Sequence, residues 1–244
     1  MKVIRAFFMC LGMFSAIPCP YRPWDEAARA LMTACLPLVG AVIGALWYAF
    51  SMLGCAVLPE TLCAALIAAL PFLLTGFMHL DGFMDTVDAL MSWRPLEERQ
   101  KILKDVHCGS FAVVGVVLLM IGMFAAACDA QIADLRTLVL IPVTSRCMSA
   151  FCVTALRPIG HSQYTALNRS AATPIAAGVM LLLTLVVGGI WISARAAVCL
   201  SAVAAGYALA MAAAVRALKG VSGDLAGYSL CVGELCGLIA LAIL

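Results

Sequence analysis

Three aspartates fall within eight residues in the stretch His79-Leu80-Asp81-Gly82-Phe83-Met84-Asp85-Thr86-Val87-Asp88. Spacings of four and three put Asp81, Asp85 and Asp88 on one face of a helix, with neighbouring Cβ atoms about 5–6 Å apart. Two unit charges at that separation repel by about 3 kcal/mol at an effective dielectric of about 20. A divalent cation shared by the carboxylates removes that repulsion. Hard oxygen ligands suit Mg²⁺, and a metal with nearby Lys or Arg neutralises charge on a transferring phosphoryl group. The plainer alternative is a solvated helix end with ordinary capping. Three carboxylates on one face beside an apolar run favour the chemistry.

The elements that position them are set by composition. The 244 residues are 65% hydrophobic and only 11% charged, against about 25% charged in a soluble domain, and the mean hydropathy is +1.08. An all-α, polytopic membrane bundle is expected, as one membrane domain over 1–244. The net charge of +2 and the lack of a basic arm exclude nucleic acid as a partner. Apolar runs at 34–58, 61–79, 110–128, 137–156, 174–194, 196–215 and 225–244 each approach the roughly 20 residues that cross a bilayer. About seven transmembrane helices follow. The first 30 residues form a separate amino-terminal segment. Its apolar stretch is short, flanked by Lys2 and Arg5 and broken by Pro18, Pro20 and Pro23. It reads as an interfacial or re-entrant helix, not as a cleavable signal.

Basic residues orient the spans. Lys2, Arg5, Arg22, Arg29, Arg94, Arg99, Lys101, Lys104, Arg157, Arg169, Arg216 and Lys219 fall on one side, and only Arg136 and Arg195 on the other. The amino terminus and the segment 80–109 are therefore expected in the cytoplasm. That segment reads as an acidic active-site loop, entered by a second span that continues beyond Leu80. It holds Asp81, Asp85, Asp88, Glu97, Glu98 and Asp105, and an amphipathic helix from Pro95 to His107. Lys104 and Asp105 stand just before the third span. His79 and His107 have side chains able to orient a carboxylate or move a proton near neutral pH; His161 has no partner in view.

Arg146 and Glu234 lie near mid-membrane, where a charge facing lipid costs a few kcal/mol, so they are expected to face inward and pair. Lys219-Gly-Val-Ser-Gly-Asp224-Leu-Ala-Gly227 can present backbone N–H groups to an anion. A plain loop at a helix N-terminus is an equal alternative. The 12 cysteines include no Cys-x-x-Cys pair. Most, Cys63 among them, sit in apolar runs and read as lone small hydrophobes rather than metal or redox groups.

The pattern His79-Leu-Asp81-Gly82-x-x-Asp85-Thr-x-Asp88, followed by Lys104-Asp105-x-x-x-Gly109, resembles the adenosylcobinamide-GDP ribazoletransferase family. So do Phe14-Ser-Ala-Ile-Pro18, Ser145-Arg146, Arg157-Pro-x-Gly160, and Gly220-x-Ser-Gly223-Asp224-x-x-Gly227 with Glu234 beyond. The resemblance spans nearly the whole chain, and its aspartate block is the specific part. It implies a Mg²⁺-dependent enzyme of the bacterial inner membrane. Such an enzyme joins adenosylcobinamide-GDP to α-ribazole, or its 5′-phosphate, and releases GMP. By resemblance Asp81, Asp85 and Asp88 are metal and catalytic residues, with His79, Lys104 and Asp105 as further catalytic candidates. Gly82, Arg146, Gly223 and Asp224 become substrate-binding candidates. Departures occur at Ala16, Phe83, Met84, Ala89 and Ser222. Ala89 after Asp88, with no following Ala-Arg pair, also departs from the CDP-alcohol phosphotransferase pattern. Another Mg²⁺-dependent phosphoalcohol transferase, or an ion-coupled transporter using Arg146 and Glu234, stays open as an alternative. A homo-oligomer also stays open.

Overall fold

Long apolar runs with few β-branched breaks become helices because a backbone in lipid must satisfy its polar groups internally. The computed structural model describes residues 2–19, 21, 24–130, 132–159 and 172–244. Pro20, Arg22, Pro23, Gly160, His161 and Arg169 lie outside the described residues. Ten α-helices occur among those described: α1 (Lys2–Phe14), α2 (Glu26–Val57), α3 (Glu60–Leu74), α4 (Met78–Met91), α5 (Leu96–Ile102), α6 (Ser110–Asp129), α7 (Ile141–Ala155), α8 (Ala172–Val187), α9 (Ala194–Leu218) and α10 (Gly223–Ile243). A 3-10 helix (Ile132–Val139) leads into α7, and a π turn (Gly188–Ile192) prolongs α8. Among the described residues there is no strand.

Six of these elements are long and apolar enough to cross a membrane, and a bent helix pair makes a seventh. The bundle is apolar outside as well as inside. Val114, Leu118 and Ile121 on α6 and Leu182 on α8 are exposed, while Arg146, Glu234 and Ser145 are buried. Such inverted polarity belongs to a protein solvated by lipid. At the centre stands α10, packed on α9, α4, α6 and α7. The amino-terminal expectation holds in outline. At 13 residues α1 is too short to span. It buries Ala6, Met9 and Cys10 against α2, an i, i+3, i+4 stripe.

The second apolar run is not straight. Between α3 and α4 the chain turns through 91°, so the expected helix continuing smoothly past Leu80 is replaced by a break. Pro71 has no N–H to donate, and the Thr75 hydroxyl bonds back to the Pro71 and Phe72 carbonyls. Gly76 and Phe77 then both take left-handed backbone, φ +61° and +63°. Gly adopts this freely; for Phe it is strained. The Ala16 N–H donates to the Leu74 carbonyl, pinning the amino-terminal segment at the break.

Within the acidic segment 80–109, Asp81, Asp85 and Asp88 lie on α4, which packs on α10 and α6. The amphipathic helix expected up to His107 stops after Ile102. There the Asp105 carboxylate accepts the His107 N–H, a local bond that competes with helix continuation. A further correction concerns two cysteines. The short Leu58–Pro59 turn folds α3 back on α2 and brings Cys55 and Cys63 into a disulfide, with Cα atoms 5.2 Å apart. Cys63 is thus not a lone apolar residue.

Candidate active site

Asp81 and Asp85 face the first turn of α10 because α4 and α10 cross with almost no space between their backbones. A Cβ on Gly82 would lie 2.8 Å from Asp224 Cα, and one on Gly227 would lie 3.0 Å from the His79 carbonyl oxygen. Glycine at both positions is what brings Asp224 alongside the aspartate helix. Phe83 stacks on Tyr228 at 5.5 Å in the same contact. Ser222 caps α10 by accepting the Leu225 N–H, and its hydroxyl donates to Asp224 Oδ2. The Asp81, Asp224 and Asp88 carboxylates all lie within electrostatic reach of Asp85.

Asp88 is used differently from its two neighbours. It is buried. Its Oδ2 accepts the Gly109 N–H at 2.6 Å, and its Oδ1 accepts the Ala112 N–H at 2.9 Å. Both oxygens therefore cap the N-terminus of α6, where unpaired N–H groups and the helix dipole favour an anion. A side chain at Gly109 would collide with that carboxylate.

A cavity of about 230 Å³ opens beside the rim. His79, Asp81, Gly223 and Asp224 line it from α4 and α10; Met13 and Phe14 line it from α1, Met32 and Leu36 from α2, and Trp24 from the segment between those helices. Arg146, itself buried, also lines it. The inward pairing expected for Arg146 is present: Nη1 donates to Glu234 Oε1 at 2.7 Å, and to the Ser145 hydroxyl and the Pro142 carbonyl. The Ser145 hydroxyl donates to the same Glu234 oxygen. The guanidinium is thus held rigidly while its residue still borders the cavity.

The sequence candidates separate into groups. His79, Asp81, Arg146, Gly223 and Asp224 border one cavity. Gly82 and Asp85 sit at the α4–α10 crossing. Lys104 and Asp105 are exposed and outside the cavity wall. The Asp105 carboxyl is held below its ordinary range chiefly by the hydrogen bond from His107 Nδ1, at 2.7 Å. Sequence reasoning passed over Arg29, Thr33 and Ser149, which also line the cavity. Only spacing could have signalled them. Arg29 and Thr33 are four apart on α2, and Ser149 lies three beyond Arg146, so each pair shares a helix face.

Among the described residues no group of three or more His, Cys, Asp or Glu could hold a metal ion by itself. Mg²⁺ does not need such a cage. It keeps several waters and binds through one or two carboxylates plus substrate phosphates. Asp81 and Asp224 on one cavity wall, with Asp85 in electrostatic reach, fit that mode.

The chain is similar to known proteins along nearly its whole length. A family model described as cobalamin-5-phosphate synthase matches residues 6–242. An adenosylcobinamide-GDP ribazoletransferase of Clostridium perfringens is 35% identical over the full length of both chains. One from Clostridium botulinum is 31% identical over 98% of this chain and 97% of its own. One from Stutzerimonas stutzeri is 34% identical over 85% of this chain and 84% of its own. No solved structure matches. With the family model covering all but the extreme ends, and full-length relatives above 30% identity, the chain belongs to the cobalamin-5-phosphate synthase family.

Proposed function

We propose that this membrane enzyme joins adenosylcobinamide-GDP to α-ribazole, or to its 5′-phosphate, at the cleft between α4 and α10. The ribose hydroxyl attacks the phosphorus nearer the cobinamide. A new O–P bond forms, the P–O–P bond breaks, and GMP leaves with the bridging oxygen. The observation that carries the reading is that Asp81 and Asp224 line a cavity that Arg146 also lines, with Asp85 within electrostatic reach of both carboxylates. Acidic groups for a cation and a fixed guanidinium for an anion stand in one concave site, as pyrophosphate chemistry requires.

Asp81, Asp85 and Asp224 would hold Mg²⁺ together with the pyrophosphate oxygens, and Mg²⁺ so bound would neutralise charge on the transferring phosphoryl group. Asp88 positions this set by fixing α4 to α6. Arg146, held by Glu234 and Ser145, offers positive charge to the cavity without needing to reorganise. Gly82 lets the α10 backbone close on α4, and Gly223, on the cavity wall, lets a phosphate approach backbone. Lys104 and Asp105 are exposed and off the cavity wall, and no step is assigned to them.

The site is assigned to the cytoplasmic face of a bacterial inner membrane. Support comes from the one-sided distribution of Lys and Arg. The Cys55–Cys63 disulfide sits at the α2–α3 turn, away from the cavity, and disulfides persist in oxidising compartments. Purified protein in lipid, given adenosylcobinamide-GDP, α-ribazole and Mg²⁺, should release GMP and stop when EDTA is added. Absence of GMP release would remove the reaction, and release indifferent to EDTA would remove the metal.

A further inference from the structure

The cavity is lined by two chemically unlike sets of residues, and the family reaction has two substrates of unlike size. From the apolar set, we infer that this cavity is the acceptor subsite: it takes the flat aromatic base of the ribazole and leaves the corrin outside. The inference rests on the proposed reaction and adds where each substrate sits.

Size supports it. About 230 Å³ is below the roughly 300–1,000 Å³ of pockets that enclose drug-sized ligands. A corrin macrocycle with its amide arms exceeds such ligands, whereas one base does not. The chemistry of the wall supports it further. Met13, Phe14, Trp24, Met32 and Leu36 provide aromatic and thioether surface, which packs on ring faces and edges. Arg29 and Thr33 stand among them on the same face of α2, so the surface is mostly apolar with two polar groups, which suits an aromatic base carrying few hydrogen-bonding groups.

His79 adds an independent observation. Its Nδ1 is buried and has no hydrogen-bond partner among the described residues, although buried polar atoms are nearly always paired. His79 and Asp81 line the same cavity from α4. A nucleoside with its base against Phe14 and Met32 would turn its sugar toward the His79 ring and the Asp81–Asp224 side of the cavity. Its hydroxyl would then lie beside the groups assigned to the pyrophosphate. Because α1 builds part of the wall, the amino-terminal helix becomes a specificity element as well as a surface helix.

The test uses full-length protein in nanodiscs. Met32→Trp fills the apolar wall and should raise the KM for α-ribazole by at least about 10-fold, the discrimination a methylene-scale clash carries. The KM for adenosylcobinamide-GDP should stay unchanged. A rise confined to the KM for adenosylcobinamide-GDP overturns the inference, as does no change in either KM. Should the variant fail to fold, wild-type protein still decides. α-Ribazole alone should quench tryptophan fluorescence saturably, and Trp24→Phe should remove that quench. No quench, or a quench that survives Trp24→Phe, overturns the inference. The fluorescence readout needs no turnover. A wild type that binds α-ribazole but releases no GMP would defeat the proposed reaction and leave the subsite standing.

Discussion

On α10, Glu234 and Asp224 are ten residues apart, about 15 Å along the helix, and their surroundings differ sharply. Glu234 meets Arg146 at 2.7 Å with both side chains almost fully buried, and the Ser145 hydroxyl completes the pair. Asp224 instead faces two more carboxylates, Asp81 and Asp85. Among the described residues none of these three has an ion-pair partner in the protein. The first arrangement answers its own charge and builds the bundle. The second leaves like charges together beside a cavity, which is stable only when something from outside answers them. In a lipid-solvated chain the unanswered cluster marks where a ligand must bind, while the answered pair builds the bundle and holds Arg146 against the cavity.

Removing half of the answered pair gives the largest expected effect. Glu234→Ala leaves a buried guanidinium uncompensated, and breaking such pairs costs about 3–5 kcal/mol. Thermal unfolding in detergent should show a large fall in Tm. Replacing both residues by Met and Gln should recover part of it, since the loss comes from the unpaired charge. A Glu234→Ala protein with unchanged Tm would break the contrast from the architectural side.

Asp81→Asn should do the reverse. Turnover should fall by at least about 100-fold, the usual scale for removing one charge-stabilising group at a phosphoryl or acyl centre. Tm in the absence of Mg²⁺ should hold or rise, because a repulsion is relieved. Rates of GMP release and calorimetric melting on the same preparation separate the two. Wild-type turnover in this variant would take Asp81 out of the metal set.

Asp88 tests where the boundary lies, with a smaller effect. It shares a helix face with Asp81 and Asp85, but its oxygens are bonded as Glu234 is bonded. Asp88→Ala strands two N–H groups at the start of α6, about 1–3 kcal/mol. Activity should then follow the folded fraction. A dead enzyme with an intact melting curve would move Asp88 into the chemical set.

That ambiguity shows what was legible beforehand. Helical spacing places a carboxylate on a face but does not say what stands opposite it, and α6 lies over twenty residues further on. The membrane bundle was readable because unbroken apolar runs such as Ser110–Asp129 have few other solutions in lipid. The pairing of Arg146 with Glu234 was readable for the same reason, since each needs a partner at that depth. The bend at Gly76–Phe77 was hidden: both flanks are apolar, and only Pro71, Thr75 and Gly76 hinted at it. Arg29, Thr33 and Ser149 enter the site through tertiary packing of α2 and α7, which one helix's periodicity does not encode.

The smallest effect comes from charge that is answered but only half-buried. Arg5 on α1 donates to Asp25, the residue capping α2, at 3.1 Å. That hydrogen bond, more than any other influence, lowers the Asp25 carboxyl from its ordinary value of 3.8. A carboxyl whose folded pKa is depressed contributes stability that is fully present above its unfolded pKa and is lost as pH falls through the folded value. Wild type and Arg5→Gln should therefore differ slightly and constantly in Tm from about pH 6 to about pH 5, then converge as the pH drops below the ordinary carboxylate range. Added salt should shrink the difference, because exposed pairs are screened. A gap that persists undiminished into acid would mean Arg5 holds α1 by packing rather than by charge. The amino-terminal wall of the cavity would then belong with the buried architecture, not with its wet rim.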